Sequence, residues 1–256
     1  MQKQDETAAL DARQQHVAES GLKVMMPIGR PFLDYAISAL ADAGITDICL
    51  VIGASGDHER MRDYYGSLET SRVRIAFATQ ERPRGTADAV LAGESFADGE
   101  HVLMVNGDNY YPIAALRALS ELASPGLTVF ERDALVRHGN IPSERVAQYA
   151  LVQVDRDGML ERIVEKPDRK TLLSFSGPLL IGMNSWSLPP EIFDACRRIT
   201  PSPRGELELQ DAVQYARDRM GIGFRALVSQ EGVLDLSTRG DVAAVAARLQ
   251  GVIVRL

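Results

Sequence analysis

Two carboxylates in apolar surroundings are the first candidates for chemistry. Asp108 stands in the motif Asn106–Asn109 (NGDN), directly after the apolar run Val102–Val105. In an open α/β sheet, ligands bind beyond the carboxyl ends of the strands, and a carboxylate there beside phosphates is a natural Mg²⁺ ligand. A simple turn is an equally good interpretation of these four residues. Asp235 lies in the apolar segment Val233–Leu236, where a buried carboxylate needs a metal, a cation or hydrogen-bond donors as its partner.

A loop between a predicted strand and a predicted helix carries a second set of candidates. Gln80 has an amide that both donates and accepts, which suits the edge of a nucleotide base. Gly85 permits close approach of the backbone to a flat ligand. The competing interpretation is a loop in which Thr86 caps the following helix, and for these residues alone it is the better one.

The third candidate is the pair Glu165-Lys166, which ends another predicted strand. Lysine can serve as a point charge for a phosphate, and glutamate can accept hydrogen bonds from sugar hydroxyls. An exposed Glu–Lys pair at a strand end is common, so the pair alone favours the simpler interpretation.

Alternating strand-like and helix-like segments must position these residues. The pattern predicts three successive β–α units in the first half, with strands at 47–53, 73–79 and 100–106 and helices at 32–43, 58–65 and 86–96. This favours an α/β, Rossmann-like fold with a mostly parallel central sheet and helices on both faces. Beyond Pro125 we expect a smaller mixed sheet, with strands beginning at 127, 149, 160, 178 and 224 and helices at 189–198, 206–220 and 241–249.

Composition excludes some function classes. The 256 residues carry a net charge of −7 without a basic face, which argues against a nucleic-acid partner. No apolar stretch approaches the roughly 20 residues of a membrane span. The two cysteines, Cys49 and Cys196, form no disulfide framework, which favours a cytoplasmic protein.

The chain is expected to hold one domain behind a polar leader. Residues 1–22 are polar and predicted to include a helix, and residues 23–256 form the domain. Within it, residues 126–256 are expected to add a mixed sheet around the same site as residues 23–125; the resemblance described below implies that the first half binds a nucleotide and the second a sugar phosphate. An α/β domain of this kind usually opens with a buried strand, and none is recognised before Lys23.

Eight segments in a fixed order resemble the sugar-1-phosphate nucleotidyltransferases, also called NDP-sugar pyrophosphorylases. They lie between Lys23 and residue 245, and they read KVMMPIGRPFLDYAISALADAGITDICLVIG, QERPRGTADAV, VNGDNYY, YALVQVDRDG, IVEKP, GMNSW, PRGELELQDAV and VLDLSTRGDVAAV. The resemblance implies a fold of the nucleotide-diphospho-sugar transferase type. It also implies Mg²⁺-dependent transfer of an NMP group from an NTP to a sugar 1-phosphate, with pyrophosphate released and no covalent enzyme intermediate.

The same resemblance implies roles for individual residues. Catalytic roles fall to Lys23, Lys166 and Asp108, and the metal would be held by Asp108 and Asp235. The implied nucleotide-binding residues are Gln80, Gly85, Thr86 and Asp108, and the implied sugar-phosphate-binding residues are Tyr149, Glu165, Lys166, Gly182 and Asn184. Two positions depart from the pattern of the family: Val24 stands where proline usually follows the lysine, and Ala150 stands where glycine usually follows the tyrosine.

The largest departure is at the front of the chain. Members of the family open with a buried strand and a Gly-rich loop that ends in Gly-Thr-Arg, and this loop is not found before Lys23. We expect that the sequence starts at an internal methionine and that upstream DNA encodes the loop. A chain that truly lacked it would be expected to show low stability and little turnover. The alternative function is a catalytically impaired sugar-nucleotide-binding or regulatory homologue, although the presence of both Asp108 and Asp235 favours the enzyme. Either form is compatible with a homo-oligomer.

Overall fold

The structure, a computed structural model, describes residues 10–11, 14–15, 17–18, 22–54, 56–174 and 178–256. In the polar leader, residues 14, 15, 17 and 18 are helical and residues 10, 11 and 22 are not part of an α-helix; the other residues of the leader lie outside the described residues. None of the helices in the described part of the chain combines the length and the apolar character that a membrane crossing requires.

The described residues form twelve strands and ten α-helices. The strands are β1 (Pro27–Ile28), β2 (Arg30–Pro31), β3 (Asp47–Gly53), β4 (Arg74–Gln80), β5 (Val102–Val105), β6 (Asn109–Tyr110), β7 (Gly126–Glu131), β8 (Ala150–Val154), β9 (Leu160–Val164), β10 (Leu180–Leu188), β11 (Arg225–Ser229) and β12 (Leu234–Asp235). The helices are α1 (Phe32–Asp42), α2 (Glu59–Ser67), α3 (Thr86–Ala92), α4 (Glu94–Ala97), α5 (Ile113–Ser120), α6 (Arg132–His138), α7 (Arg169–Ser174), α8 (Ile192–Arg198), α9 (Leu209–Met220) and α10 (Asp241–Leu249).

Local patterns predicted most of these elements. The bounds of β3 and α10 are those predicted, because each is a strongly patterned segment with a clear boundary signal. The helix predicted at 86–96 is two helices, α3 and α4, which are separated at Gly93. The prediction of an α/β fold with a mixed second half is confirmed.

The prediction of a mostly parallel central sheet is wrong for the described strands. The six-stranded sheet has the order β11-β7-β10-β8-β9, with β5 also paired to β10, and β11 with β7 is its only hydrogen-bonded pair that is parallel. The other parallel pair is β3 with β4, in a separate two-stranded sheet. A continuous apolar run such as β5 indicates burial but not direction. Its partner β10 lies far along the chain and runs antiparallel to it, which no local pattern reveals.

The long strand β10 is the centre of the sheet. Its first part pairs with β8 and its last part with β5, so both of these strands lie along the same side of it. The change of partner coincides with an irregularity between Gly182 and Trp186, where Asn184 has a φ of 54°. Asparagine tolerates this left-handed conformation better than most residues do. The irregularity therefore turns the Asn184 region toward the carboxyl end of β5.

Backbone contacts join the two halves of the chain at Gly85. This residue has a φ of 124°, and a Cβ atom there would lie 2.6 Å from the Leu207 nitrogen and even closer to the Leu207 oxygen. The segments are also hydrogen-bonded, since Leu207 N donates to Arg84 O at 2.7 Å and Ala87 N donates to Leu207 O at 2.9 Å. Gly85 is therefore required for the close packing of Leu207.

Replacing Gly85 tests this packing. We expect Gly85→Ala to lower the free energy of unfolding by about 1–3 kcal/mol, because the methyl group meets backbone and the φ is unfavourable for alanine. Urea unfolding followed by circular dichroism measures the change. Gly66→Ala is the matched control, since Gly66 is exposed in α2 with open space at its Cβ position and should lose nothing. Equal stability of the two variants would contradict the account.

Candidate functional site

The two predicted metal ligands lie side by side. In the pairing of β6 with β12, Asp235 is the partner of Asn109, the residue after Asp108. Leu236 N also donates to Asp108 O at 2.9 Å. This short antiparallel ladder brings a carboxylate from each half of the chain to one place.

Each of the two carboxylates is paired with a cation through one oxygen. Lys23 Nζ forms an ion pair with Asp108 Oδ2, and Arg145 Nη2 lies 2.6 Å from Asp235 Oδ2. The Asn109 amide lies between the other two oxygens. With its nitrogen turned toward them, the orientation that satisfies both ends of the amide, Asn109 donates to Asp108 Oδ1 at 3.1 Å and to Asp235 Oδ1 at 3.3 Å.

This arrangement fits a hard divalent cation. Two carboxylates from distant parts of the chain converge on one NH₂ group, which places an oxygen of each beside the candidate cation site. In the described part of the chain no three His, Cys, Asp or Glu side chains form a metal-binding group, so the protein would supply only these two carboxylates. That suits Mg²⁺, which is usually held by one or two carboxylates together with substrate phosphates and water.

The surroundings of Asp235 oppose its ionisation. Burial raises the pKa of this carboxyl above its usual value, and the charge of Asp108 raises it further. Hydrogen bonds from Ser237 and Tyr149 and the charge of Arg145 act in the opposite direction without cancelling the rise. Burial also raises the pKa of the Tyr149 hydroxyl, which stays protonated and donates to Asp235. A cation beside Asp235 would therefore relieve an unfavourable charge.

Tyr111 connects the carboxylates to the irregularity in β10. Its buried hydroxyl lies 2.6 Å from Met183 O and 3.2 Å from Asn184 O, and it accepts from Asn106 N at 3.2 Å. The end of β5 is thereby held against the residues predicted to bind the sugar.

Glu165 and Asn184, both predicted to bind the sugar, are joined by Gln210. Gln210 Nε2 donates to Glu165 Oε2 at 3.1 Å and to Asn184 Oδ1 at 2.9 Å. Trp186 Nε1 donates to the same Asn184 oxygen at 3.4 Å. Gln210 is only 5% exposed, and its Oε1 is buried without a hydrogen-bond partner among the described residues.

The charged groups around Glu165 set its ionisation. Burial raises the pKa of Glu165, the nearby Arg204 lowers it, and Glu208 raises it, with a net rise. Arg204 Nη2 lies 4.0 Å from Glu165 Oε1 but only 2.6 Å from Glu208 Oε1. Lys166 is exposed beside Glu165 and has a φ of 45°, an uncommon conformation for a residue with a side chain. The Glu-Lys pair therefore follows β9 in a constrained turn.

Gly182 serves strand packing. It is buried, and a Cβ atom there would lie 3.2 Å from Val152 Cγ2 and 3.6 Å from Ala150 Cβ. The space that its missing side chain leaves is therefore filled by β8. A contact between Gly182 and a sugar stays a prediction.

The predicted base-binding loop makes internal hydrogen bonds. Gln80 Nε2 donates to Gly85 O at 3.1 Å and to Asp88 Oδ2 at 2.9 Å, so the carbonyl oxygen of its amide is the group left for a ligand. Thr86 does not cap α3; its hydroxyl accepts from Leu209 N, at the start of α9, at 2.9 Å. The interpretation of Thr86 as a simple helix cap is therefore wrong, because the hydroxyl joins two segments far apart in sequence.

Sequence reasoning missed the residues that hold the candidates in place. Arg145, Asn109, Tyr111 and Gln210 all contact predicted site residues, yet none was a candidate. Asn109 and Gln210 lie inside segments that carry the resemblance, and their polar side chains beside predicted ligands were the available signal. Arg145 lies four residues before Tyr149 and carried no signal of its own.

Several curated proteins of similar sequence are named as nucleotidyltransferases. The low-salt glycan biosynthesis nucleotidyltransferase Agl11 of Haloferax volcanii is 29% identical over 208 residues, which are 79% of this chain and 53% of that protein. A glucose-1-phosphate thymidylyltransferase of Streptomyces antibioticus is 29% identical and covers 88% of this chain and 59% of its own length. The enzyme of the same name from Mycolicibacterium smegmatis is 30% identical, with 84% and 70% covered. The chain thus spans little more than half the length of the first two.

Solved structures share the fold. A UDP-glucose pyrophosphorylase complexed with UDP-glucose superimposes with a TM-score of 0.72 at 17% identity, over 89% of this chain and 90% of the other. The UTP-bound enzyme from Acinetobacter baumannii has a TM-score of 0.71 at 19% identity, with 96% and 93% covered. The predicted fold type is therefore confirmed. Residues 18–225 match the sequence model described as nucleotidyl transferase, and this chain belongs to that family.

Proposed function

We propose that this protein transfers an NMP group from an NTP to a sugar 1-phosphate and releases pyrophosphate. The observation that carries the proposal is the pair Asp108 and Asp235, whose free oxygens share the Asn109 amide beside Lys23. Such a pair suits a divalent cation bound together with a triphosphate. The names of the relatives support the same reaction class.

In this proposal the two halves of the chain bind different substrates. Residues 23–125 bind the nucleotide, and residues 126–256 bind the sugar phosphate. Gln80 offers its carbonyl oxygen to an N–H group of the base, because both of its donors are already used. Glu165 and Asn184 accept hydrogen bonds from the sugar, and Lys166 faces its phosphate.

Catalysis would depend on positioning and on charge. The oxygen of the sugar phosphate attacks the α-phosphorus in line, and pyrophosphate leaves from the opposite side. Lys23 offsets negative charge on the phosphates, and Lys166 holds the attacking phosphate. Mg²⁺, held by Asp108 and Asp235, would neutralise charge on the triphosphate.

The relatives also guide the choice of substrates and compartment. Two of them are named glucose-1-phosphate thymidylyltransferases, so we propose glucose 1-phosphate with dTTP or UTP as the first pair to assay. We place the reaction in the cytoplasm, since Cys49 and Cys196 are both free thiols, as expected in a reducing compartment.

The direct test is pyrophosphate release by the full chain as its gene encodes it. A panel of NTPs and sugar 1-phosphates is assayed with Mg²⁺, and we expect turnover for at least one pair and none without the metal. Tight NTP or NDP-sugar binding without turnover for any pair would favour the non-catalytic homologue instead.

Neutralising either carboxylate tests the metal site. We expect Asp108→Asn and Asp235→Asn each to lower Mg²⁺-dependent turnover more than about 100-fold, because each removes a charged ligand. The measurement is turnover as a function of Mg²⁺ concentration. Asp47→Asn, in the exposed pair with Arg74, is the matched control and should change neither quantity. Unchanged metal dependence in the site variants would refute the assignment.

Glu165→Gln is expected to raise the stability of the protein and to weaken its use of the sugar phosphate. The raised pKa means that the folded state disfavours ionised Glu165, so a neutral amide should raise the thermal midpoint at about pH 7. The gain should shrink as the pH falls through the raised pKa and disappear below the ordinary value of 4.5, where Glu165 is protonated in both states. KM for the sugar phosphate should rise. Glu161→Gln, exposed on β9, should change neither property, and a lower midpoint for Glu165→Gln at pH 7 would contradict the account.

A further inference from the structure

Arg145 joins one predicted metal ligand to a second buried carboxylate. It lies in the 3-10 helix Ser143–Gln148, and its guanidinium contacts Asp235 Oδ2 with Nη2 and Asp241 Oδ1 with Nη1, each at 2.6 Å. The side chains are only 17%, 3% and 7% exposed for Arg145, Asp235 and Asp241. Arginine presents two separate nitrogens to the two carboxylates in a rigid planar fork, a geometry that the compact ammonium of lysine does not reproduce.

The far end of the bridge is itself fixed. Asp241 is the first residue of α10, and its Oδ2 accepts from Thr238 N at 2.7 Å and from Thr238 Oγ1 at 2.9 Å. These bonds leave Oδ1 for Arg145. Asp241 therefore holds Arg145 in place without contacting Asp108.

The backbone of Asp235 is fixed by Asn140, whose Nδ2 also makes a longer bond of 3.4 Å to Asp241 Oδ1. Asn140 Nδ2 donates to Asp235 O at 2.8 Å, and Asp235 N donates to Asn140 Oδ1 at 2.7 Å. With the backbone held, the remaining freedom of Asp235 is rotation of its side chain. The contact with Arg145 at Oδ2, together with the hydrogen bonds from Ser237 and Tyr149, restricts that rotation and leaves Oδ1 toward Asn109 and Asp108.

We propose that Arg145 is a positioning residue for the divalent cation. It presents Oδ1 of Asp235 toward Oδ1 of Asp108, and its charge offsets that of Asp235 and Asp241 before the cation arrives. Nη1 and Nη2 each contact a carboxylate, and Nη2 also donates to the Tyr149 hydroxyl at 3.3 Å, so Arg145 acts on the metal site through Asp235. This inference rests on the proposed metal site.

A competing role for Arg145 predicts a change in metal affinity of the opposite sign when Arg145 is removed. If Arg145 merely occupied a carboxylate oxygen that the cation needs, its removal would strengthen metal binding. A positioning role requires that its removal weaken metal binding. The direction of the change in affinity therefore decides between the two roles without any measurement of turnover.

The test measures Mn²⁺ affinity by electron paramagnetic resonance, from the signal of free Mn²⁺, with a non-hydrolysable NTP analogue bound to the full chain. We expect both Arg145→Lys and Arg145→Gln to raise the Mn²⁺ Kd by about 10–100-fold, as is typical when a group that orients a metal ligand is lost. An unchanged or lower Kd in either variant would overturn the proposal. Arg30→Lys and Arg30→Gln are matched controls, since Arg30 also pairs with a buried carboxylate, Asp34, and their Kd should equal that of the parent protein.

Asp241→Asn keeps the proposal testable if the Arg145 variants fold poorly. We expect a several-fold rise in the Mn²⁺ Kd, because Asp241 acts through Arg145. In the Arg145→Lys background the same change should add little, since the bridge is already broken. Full additivity of the two effects would overturn the proposal. If the parent protein binds Mn²⁺ and the Arg145 variants bind it equally well, this inference alone is wrong. If the parent protein does not bind Mn²⁺, the proposed metal site is wrong as well.

Discussion

The juxtaposition of buried Asp235 with half-buried Asp108 is the constraint on which the rest of the site depends. Asp108 and Asp235 have oxygens that share one amide group, and like charges at such distances repel strongly where water is excluded. The protein offsets the repulsion with Lys23 on one carboxylate and Arg145 on the other. Each cation contacts the outer oxygen of its carboxylate, and the two inner oxygens both face the Asn109 amide. A divalent cation bound between the two carboxylates would reduce their repulsion further.

Contacts between distant parts of the chain hold this pair in register with the other groups. The ladder of β6 with β12 sets the two aspartates, and the Tyr111 hydroxyl holds the end of β5 against Asn184 in β10. The packing of Leu207 on Gly85 places the start of α9, and with it Gln210, beside Glu165. The candidate groups for base, metal and sugar are therefore connected through backbone contacts as well as through side chains.

Much of this arrangement could be predicted from the sequence, because the signals were local. Apolar flanks indicated that Asp235 needed a partner, and the position of Asp108 after an apolar strand indicated a ligand site. Hydrophobic patterns located β3 and α10. The direction of β5 was not predictable, since its apolar run indicates burial without identifying β10 as its partner. Arg145 and Gln210 were missed for a related reason: their partners Asp235 and Glu165 lie 90 and 45 residues away, and a single arginine or glutamine has no distinctive local pattern.

The most direct measurement is anomalous diffraction at the manganese edge, from crystals of the full chain grown with Mn²⁺ and an NTP. The account predicts one peak within about 2.0–2.2 Å of an oxygen from each of Asp108 and Asp235, with Arg145 still on the outer oxygen of Asp235. A peak bound by only one of the two carboxylates, or by other residues, would contradict it.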